Sequence, residues 1–348
     1  MRSPVPYFAV ATLAPVALIL AGGAWGGAWA LAGLLWMTAL AATLDEAVAA
    51  VLPEADAGAE FPSADWLSVA LGLAHMAVLF GTVAALSSGR LAAWEGICLF
   101  LAAGLFLGQV SNSNAHELIH RGSRGLRRLG TAVYVTLFFG HHASAHPLVH
   151  HVHVATPRDP NSARLGESYW RFAPRAWIGS FRAGLAAESA RMARAGRPAW
   201  RHPYLVYTAG GLAALLLSAL IGGLGGMAAH MTLAGFAVSQ LLMSDYVQHY
   251  GLTRRIGPDG KAEPVGAAHS WNSPHWFTSA LMLNAPRHSD HHAHPSRPYP
   301  ELALEPDAPR LPYSLPVMAC LALSPRRWRR VMTPRAEALR GEAPVAAE

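Results

Sequence analysis

The sequence predicts an all-α integral membrane protein with about six transmembrane helices, on two observations. First, 52% of its 348 residues are hydrophobic and only 14% are charged, whereas soluble domains carry about 25% charged residues. Second, Lys, Arg, Asp and Glu are absent from several stretches long enough to cross the hydrocarbon core, which takes about 20 helical residues. A soluble helical protein would have to bury four or more such stretches. We therefore take lipid as the solvent for much of the chain.

The charge-free stretches place six spans in three hairpins. Residues 3–44 hold two spans that turn near a group of glycines, and residues 202–244 hold two more with a similar turn. Residues 66–89 and 96–115 make the third and fourth spans. No charged segment with a cleavage motif precedes the first span, so we expect a retained helix and not a signal peptide. The turn glycines are Gly22, Gly23, Gly26 and Gly27, then Gly222, Gly223, Gly225 and Gly226.

Six spans put both termini on the same side as the two long polar segments. Residues 116–201 and 245–348 contain 13 and 12 of the 27 Lys and Arg residues; Arg2 joins them, and only Arg90 lies opposite. By the positive-inside rule this side is cytoplasmic. The segment 129–145 is apolar but short. We interpret it as re-entrant or interfacial, because a full span there would divide the histidines between the two sides of the membrane.

Most of the 18 histidines fall in three clusters beside the ends of predicted spans. In HELIH (116–120), HPLVHHVH (146–153) and RHSDHHAH (287–294), histidines recur three or four residues apart, which gathers imidazoles on one helical face in a metal-ligand pattern. A further histidine, His249, ends the sixth span. Zinc takes three or four protein ligands, so eight or nine histidines suit two metal ions. Imidazole alone does not choose between iron, copper, nickel and zinc.

Not every histidine is expected to bind metal. His75 and His230 lie within spans, where a polar residue is either structural or functional. HELIH also matches the HExxH pattern of zinc proteases, in which Glu117 would be the general base. We interpret the histidines that border the clusters as structural, or as hydrogen-bond partners of the ligands. These are His141, His142, His153, His269, His275 and His294.

Several motifs together resemble those of bacterial membrane-bound alkane hydroxylases, within the wider membrane desaturase and hydroxylase superfamily. HELIHR (116–121) is similar to the family's HELxHK, and HHVHVATPRDPNSAR (150–164) to its extended second box. DYVQHYGLTRR (245–255) resembles NYxEHYGLxR, and the segment 269–299 resembles the WNS stretch that leads into LQRHSDHHA. RRWRRVMTPR (326–335) also matches in pattern. Desaturases share the histidine boxes, whereas the HYG and WNS segments are more specific.

The resemblance runs from about Leu34 to Arg335 and supports one domain over residues 1–335, with a tail, 336–348, that we expect to be disordered. It implies two non-haem iron ions that use O2 to hydroxylate a terminal C–H bond of an alkane or similar apolar chain. This chain has no CxxC pair for a rubredoxin iron and no GxGxxG flavin motif of its own, so we expect an external electron carrier. The resemblance implies that this carrier is rubredoxin, with rubredoxin reductase. The nine iron ligands carry over onto His116, His120, His146, His150, His151, His249, His288, His291 and His292.

Five positions depart from the family's pattern. Ala145 and Gln248 stand where Glu is usual, Val149 where Gly is usual, Asp245 where Asn is usual, and Arg121 where Lys is usual. The two missing carboxylates would otherwise tune the basicity of ligands through hydrogen bonds. All nine ligand positions remain histidine.

The expected location is the bacterial inner membrane, with termini and metal site cytoplasmic. Substrate would arrive from lipid through an apolar channel, since an alkane offers no polar group for recognition; the candidate lining residues are Leu34, Leu35, Trp36, Phe100, Leu101 and Leu105. The arginines of the C-terminal segment suit an acidic electron carrier or anionic lipid headgroups; they are Arg326, Arg327, Arg329 and Arg330.

Three alternatives stay open at this point. One is a methyl hydroxylase of alkyl-aromatic compounds, and another is a membrane lipid desaturase. The third is a metal transporter, whose ligands would lie near the bilayer midplane. No motif indicates nucleic-acid binding.

Overall fold

A computed structural model describes residues 4–48 and 61–341, and these residues form helices joined by loops, with isolated β-bridges and no β-sheet. Five helices are long and apolar enough to cross a membrane, so the predicted all-α membrane fold is confirmed. In chain order the helices are α1 Val5–Trp25, α2 Gly27–Ala47, α3 Pro62–Ser87, α4 Ala93–His120, α5 Arg124–Thr136, α6 (the consecutive segments His142–Ala145, His146–His150 and His151–His153), α7 Tyr169–Arg194, α8 Pro203–His249, α9 Trp276–Leu281, α10 His288–Ala293, α11 Leu315–Ala322 and α12 Pro325–Gly341.

The longest helix, α8, folds back on itself at the second glycine group. Gly222 and Gly223 have non-helical backbone angles, and the φ of Gly223 is 59°, which a residue with a Cβ rarely adopts. Ser218 Oγ lies 2.7 Å from Nδ1 of His230, although 12 residues of straight helix would separate them by about 18 Å. α8 therefore consists of two antiparallel arms. Within the described residues, α1 to α4 and the two arms of α8 are apolar helical segments at the places where the sequence predicts spans.

The short helix α5 enters the helical bundle and ends there. It stops at Thr136, Phe138 takes a left-handed conformation (φ 56°), and α6 then begins at His142. Thr136 lies beside His75, which is near the middle of the apolar helix α3. The chain therefore turns inside the helical bundle after Thr136, as a re-entrant segment would, and the re-entrant interpretation of residues 129–145 stays a prediction.

Two buried imidazoles form hydrogen bonds with the polar groups of Thr136 at the end of α5. The last carbonyls of a helix have no partner within the helix, and such groups are costly to leave unpaired in an apolar surrounding. His230 Nε2 lies 2.7 Å from the Thr136 carbonyl and donates to it, while His75 Nε2 lies 2.8 Å from the Thr136 hydroxyl. His75 and His230 are fully buried. Their position in apolar helices is explained by the polar helix end that they contact.

The C-terminal helix continues beyond the expected start of disorder. α12 includes residues 336–341, because Ala336 is buried and Arg340 Nε donates to the carbonyl of Gly251 over 2.8 Å. The expectation of a disordered tail is therefore wrong for these six residues. The rest of that tail, 342–348, lies outside the described residues.

Candidate metal centre

Four helices bring the predicted ligands together at one end of the bundle. α4 and α8 contribute from their last turns, so their apolar length fixes where the imidazoles lie. α6 and α10 are short helices whose three- and four-residue histidine spacing points several rings the same way. The nine histidines form two groups: His116, His120, His146, His151 and His291 make the five-histidine group, and His150, His249, His288 and His292 make the four-histidine group.

Within each group the possible ligand atoms all lie within 4.8 Å of one another. In the five-histidine group, Nε2 of His146 faces Nε2 of His116 at 2.6 Å and Nε2 of His151 at 2.9 Å. In the four-histidine group, Nε2 of His288 faces Nε2 of His249 at 3.0 Å and Nε2 of His292 at 3.1 Å.

These contacts cannot all be hydrogen bonds. A neutral imidazole carries one N–H on one ring nitrogen and one lone pair on the other. A single Nε2 can therefore form one hydrogen bond, either as donor or as acceptor, and it cannot bond to two facing Nε2 atoms at once. Nε2 of His120 and of His150 is buried with no hydrogen-bond partner among the described residues. A cation that accepts the lone pairs of each group would satisfy these atoms, so both donor sets fit a metal ion.

The surroundings keep most of the rings in the form that binds metal. Burial, followed by the neighbouring imidazoles, lowers the pKa of His146 and His151 well below the usual histidine value. The same causes act on the three imidazoles of α10. Neutral imidazole is the ligand form of histidine. The two groups also adjoin, since the ring centroids of His151 and His292, one from each group, are 4.6 Å apart.

A carboxylate missed by the sequence analysis supports one of the ligand candidates. His150 Nδ1 donates to Asp159 Oδ2 over 2.8 Å, which directs its unpartnered Nε2 toward the group. Burial alone would raise the pKa of Asp159, but His150 beside it holds that pKa below its usual range. Ser162 Oγ and the backbone N–H of Asn161 also donate to this carboxylate. A carboxylate behind a ligating histidine fixes the ring and its tautomer.

The residues that depart from the family's pattern have defined contacts. Asp245 Oδ2 accepts a 2.6 Å hydrogen bond from Asn161, which ties α8 to the loop that carries Asp159. Gln248 donates to the Ala285 carbonyl and accepts from Ser244. At Ala145 the neighbouring helix α7 is too close for a long side chain, because even a Cβ on Gly184 would lie 2.9 Å from the Ala145 Cβ.

Glu117, the acidic residue of HELIH, is buried and contacts two residues outside the histidine groups. Its carboxylate lies 3.2 Å from Arg121 Nε and accepts from the Tyr299 amide at 3.3 Å. It belongs to neither histidine group. It therefore joins α4 to the segment after the third cluster, through the Tyr299 amide.

Two of the six bordering histidines contact a candidate ligand among the described residues. The ring of His142 lies 4.8 Å from that of His146, and the carbonyl of His269 accepts from His249 Nδ1 at 3.4 Å. His141, His275 and His294 bond instead to Ser180, Ser273 and Asp290. No hydrogen bond to the ring of His153 is found in the described part of the chain.

A small cavity of about 50 Å³ adjoins both groups. It touches His116 and His146 of the five-histidine group and His288 of the other, and its apolar wall includes Leu241 and Met282. None of the six channel residues proposed from the sequence lines it. Leu35 and Trp36 border a separate groove of about 450 Å³ on α1 and α2, and Phe100 stacks on Phe236.

Comparisons with known proteins agree with this arrangement. Residues 92–318 match the family model described as fatty acid desaturase. The chain is 36% identical to alkane 1-monooxygenase 1 of Pseudomonas aeruginosa, over 78% of this chain and 72% of that protein. It is 33% identical to an alkane 1-monooxygenase of Acinetobacter baylyi, over 69% and 59% respectively. It is 29% identical to the xylene/toluene monooxygenase hydroxylase component XylM of Pseudomonas putida, over 62% and 57%.

The histidine groups supply a metal-binding centre, the apolar helices make this a multi-pass membrane protein, and the relatives are oxidoreductases by name. The chain therefore belongs to the alkane 1-monooxygenase family of membrane-bound enzymes, within the fatty acid desaturase family.

Proposed function

We propose that this enzyme hydroxylates a terminal C–H bond of an alkane or a similar apolar chain. The balanced reaction is R–CH3 + O2 + 2 e− + 2 H+ → R–CH2OH + H2O. The observation that carries the proposal is the pair of adjoining histidine groups in a chain 36% identical to an alkane 1-monooxygenase.

We further propose that both groups hold iron, with all nine histidines as ligands. Imidazole also suits copper, nickel and zinc, and iron is preferred because of the family resemblance. When bound, two iron ions would supply the chemistry of O2 activation, as a cofactor does in general. The chain's own residues hold and orient the ligands, and burial of most of these imidazoles limits the access of water.

The cavity beside both groups is the proposed position of the reacting carbon. Leu241 and Met282 give it an apolar wall, and it borders imidazoles of both groups. An alkane has no polar group, so only an apolar wall can accommodate its chain. We therefore propose that the chain end enters from the bilayer and that these side chains orient it toward the histidines.

The proposed orientation has both termini and the histidines on the cytoplasmic side of the bacterial inner membrane. Residues 116–201 and 245–348 hold 25 of the 27 Lys and Arg residues (13 + 12), which the positive-inside rule assigns to the cytoplasm. Rubredoxin and its reductase would deliver the two electrons there.

The test is whole-cell conversion of an alkane series under ¹⁸O2, with rubredoxin and its reductase co-expressed. We expect primary alcohols that carry one ¹⁸O atom, loss of product in His150→Ala and His291→Ala, and retention in the control His153→Ala. Product without ¹⁸O, or an alkene, would contradict the proposal and favour a desaturase.

An alkyl-aromatic substrate is the second candidate, because XylM is among the relatives. The same cells given toluene and xylenes decide the matter. Benzylic alcohols formed faster than any alkanol would assign the enzyme to aromatic methyl groups.

A further inference from the structure

On the basis of the proposed function, we propose that an acidic one-electron carrier docks at an arginine-rimmed cavity directly behind His150. This cavity has a volume of about 350 Å³ and is separate from the small cavity beside the histidine groups. Its walls come from the loop 155–165, from Leu252 and Thr253, and from α12. Its three cationic side chains are Arg164, Arg175 and Arg340.

The floor of the arginine-rimmed cavity leads to the four-histidine group. Asp159 lines the cavity and also accepts the 2.8 Å hydrogen bond from His150. An electron arriving at this wall would therefore need to pass only one hydrogen bond and one imidazole ring to reach the nitrogen that faces the group. The path is continuous, which is what rapid electron delivery to a buried centre requires.

The charge at the rim is available to a partner. Arg175 is already paired with Glu167 at 2.8 Å. Arg164 and Arg340 are exposed and form no ion pair among the described residues. Two exposed guanidinium groups that have no ion-pair partner among the described residues attract carboxylates and raise the association rate of an acidic protein.

Charge also distinguishes this side of the metal centre from the side of the third histidine cluster. The segment 295–310 after α10 carries Glu301, Glu305 and Asp307, and only Arg310 opposes them, because Arg297 is paired with Asp290. Its net negative charge is unfavourable for an acidic carrier. The arginine-rimmed cavity is therefore the favoured cytoplasmic approach for such a partner.

The cavity wall is held in place by hydrogen bonds of the described chain. The amide of Gly251 donates to the Ala163 carbonyl at 2.9 Å, and Arg175 donates to the carbonyls of Pro160 and Ser162. None of the exposed large apolar side chains lines the cavity. Arginines can also hold anionic lipid headgroups, and the lipid composition of the nanodiscs in the test separates that occupant from a protein partner.

The test is the affinity of a rubredoxin for the full-length enzyme in nanodiscs of neutral phosphatidylcholine, together with the kinetics of alkane turnover. The double variant Arg164→Glu/Arg340→Glu reverses the free charge at the rim. We expect about a tenfold or greater loss of affinity, an equal rise in KM for rubredoxin, and kcat at saturating carrier within about twofold of wild type. Metal content should not change.

The matched control is Arg182→Glu/Arg194→Glu, which reverses two exposed arginines of α7 outside the cavity. It should leave rubredoxin affinity within about twofold, as expected for charges away from an interface. An equal loss in both double variants, no loss in either, or no salt-sensitive binding by wild type would overturn the docking proposal. So would an effect of the rim variant seen only in nanodiscs with anionic lipid, since that would assign the arginines to lipid.

Failure of the docking proposal and failure of the proposed function give different results. A wild type that forms alkanol, with a KM for rubredoxin unaffected by the rim variant, keeps the function and rejects the cavity. A wild type whose rubredoxin binding depends on the rim, but which forms no alkanol, keeps the cavity and rejects the function.

Discussion

The two histidine groups differ in how the protein holds their imidazoles. In the four-histidine group every side chain is buried, His150 is backed by Asp159, and His249 by the carbonyl of His269. In the five-histidine group three residues are partly exposed. Among the described residues the ring nitrogens of His116, His146, His151 and His291 face only one another, and Nε2 of His120 has no hydrogen-bond partner.

This difference indicates that the two groups depend on metal to different degrees. A hydrogen bond to the ring nitrogen that does not face the metal fixes the orientation of a ligand imidazole in advance, and this strengthens metal binding. The four-histidine group has such partners for two of its rings. The five-histidine group has none among the described residues, so we expect its geometry to depend on a bound metal and on the helices that carry the rings. We expect it to release metal first.

The largest expected effect comes from removing one ligand candidate from each group. His291→Ala and His292→Ala are adjacent on α10, so helix context is matched. Each should reduce alkanol formation by at least about a hundredfold, since even indirect partners of metal ligands cost about 10–100-fold. Product formation and bound metal per chain are measured. Retention of both by either variant would remove that residue from the ligand set.

A second prediction concerns the carboxylate behind His150. Asp159→Asn should speed metal release from the four-histidine group to a chelator by about 10–100-fold, because Nδ1 loses its charged acceptor. In the wild type we expect two release phases, and this variant should bring them closer together. Glu167→Gln, which changes a nearby carboxylate that contacts no histidine, is the control. Unchanged release in Asp159→Asn would show that the group does not depend on this partner.

A third prediction concerns α6, which supplies both groups. A Cβ on Gly184 would lie 2.5 Å from the Tyr204 hydroxyl and 2.9 Å from Ala145 Cβ. Gly184→Ala should therefore destabilise the protein by about 1–3 kcal/mol and speed metal release from both groups. Gly235→Ala on α8, where a Cβ meets nothing within 4 Å, is the matched control and should be neutral or slightly stabilising. Equal unfolding temperatures would contradict the close α6–α7 contact.

The smallest effect is expected at an imidazole outside both groups. His230→Leu leaves the Thr136 carbonyl without its donor and should cost about 1 kcal/mol. His230→Gln, which can offer an amide N–H, should recover part of that loss. Thermal unfolding and metal content are measured together. Loss of metal in His230→Leu at temperatures where the fold is intact would give this histidine a role beyond packing.

Much of the fold could be predicted from the sequence because lipid imposes a simple pattern. Charge-free stretches located the apolar helices, and glycines located the turns at Gly26 and Gly223. The histidine clusters could be found because helical periodicity places residues three or four apart on one face. These features depend on local spacing.

Features that depend on contacts between distant segments could not be predicted. The division of His150 and His151 between different groups follows from how α6 meets α8 and α10. Asp159 lies in a loop without periodicity, so nothing in its spacing points to His150. The channel residues were chosen for apolar character alone, which is also that of lipid-facing residues. The prediction of a disordered tail from residue 336 failed for the same reason, because the burial of Ala336 and the hydrogen bond of Arg340 to Gly251 depend on distant parts of the chain.

The most direct test of two metal ions held by nine histidines is metal analysis of the purified full-length protein. The protein is expressed with iron supplied and kept in lipid throughout. We expect about two iron ions per chain, falling toward one in His291→Ala and in His150→Ala. Zinc in place of iron, a single metal ion per wild-type chain, or a content unaffected by both variants would contradict the account.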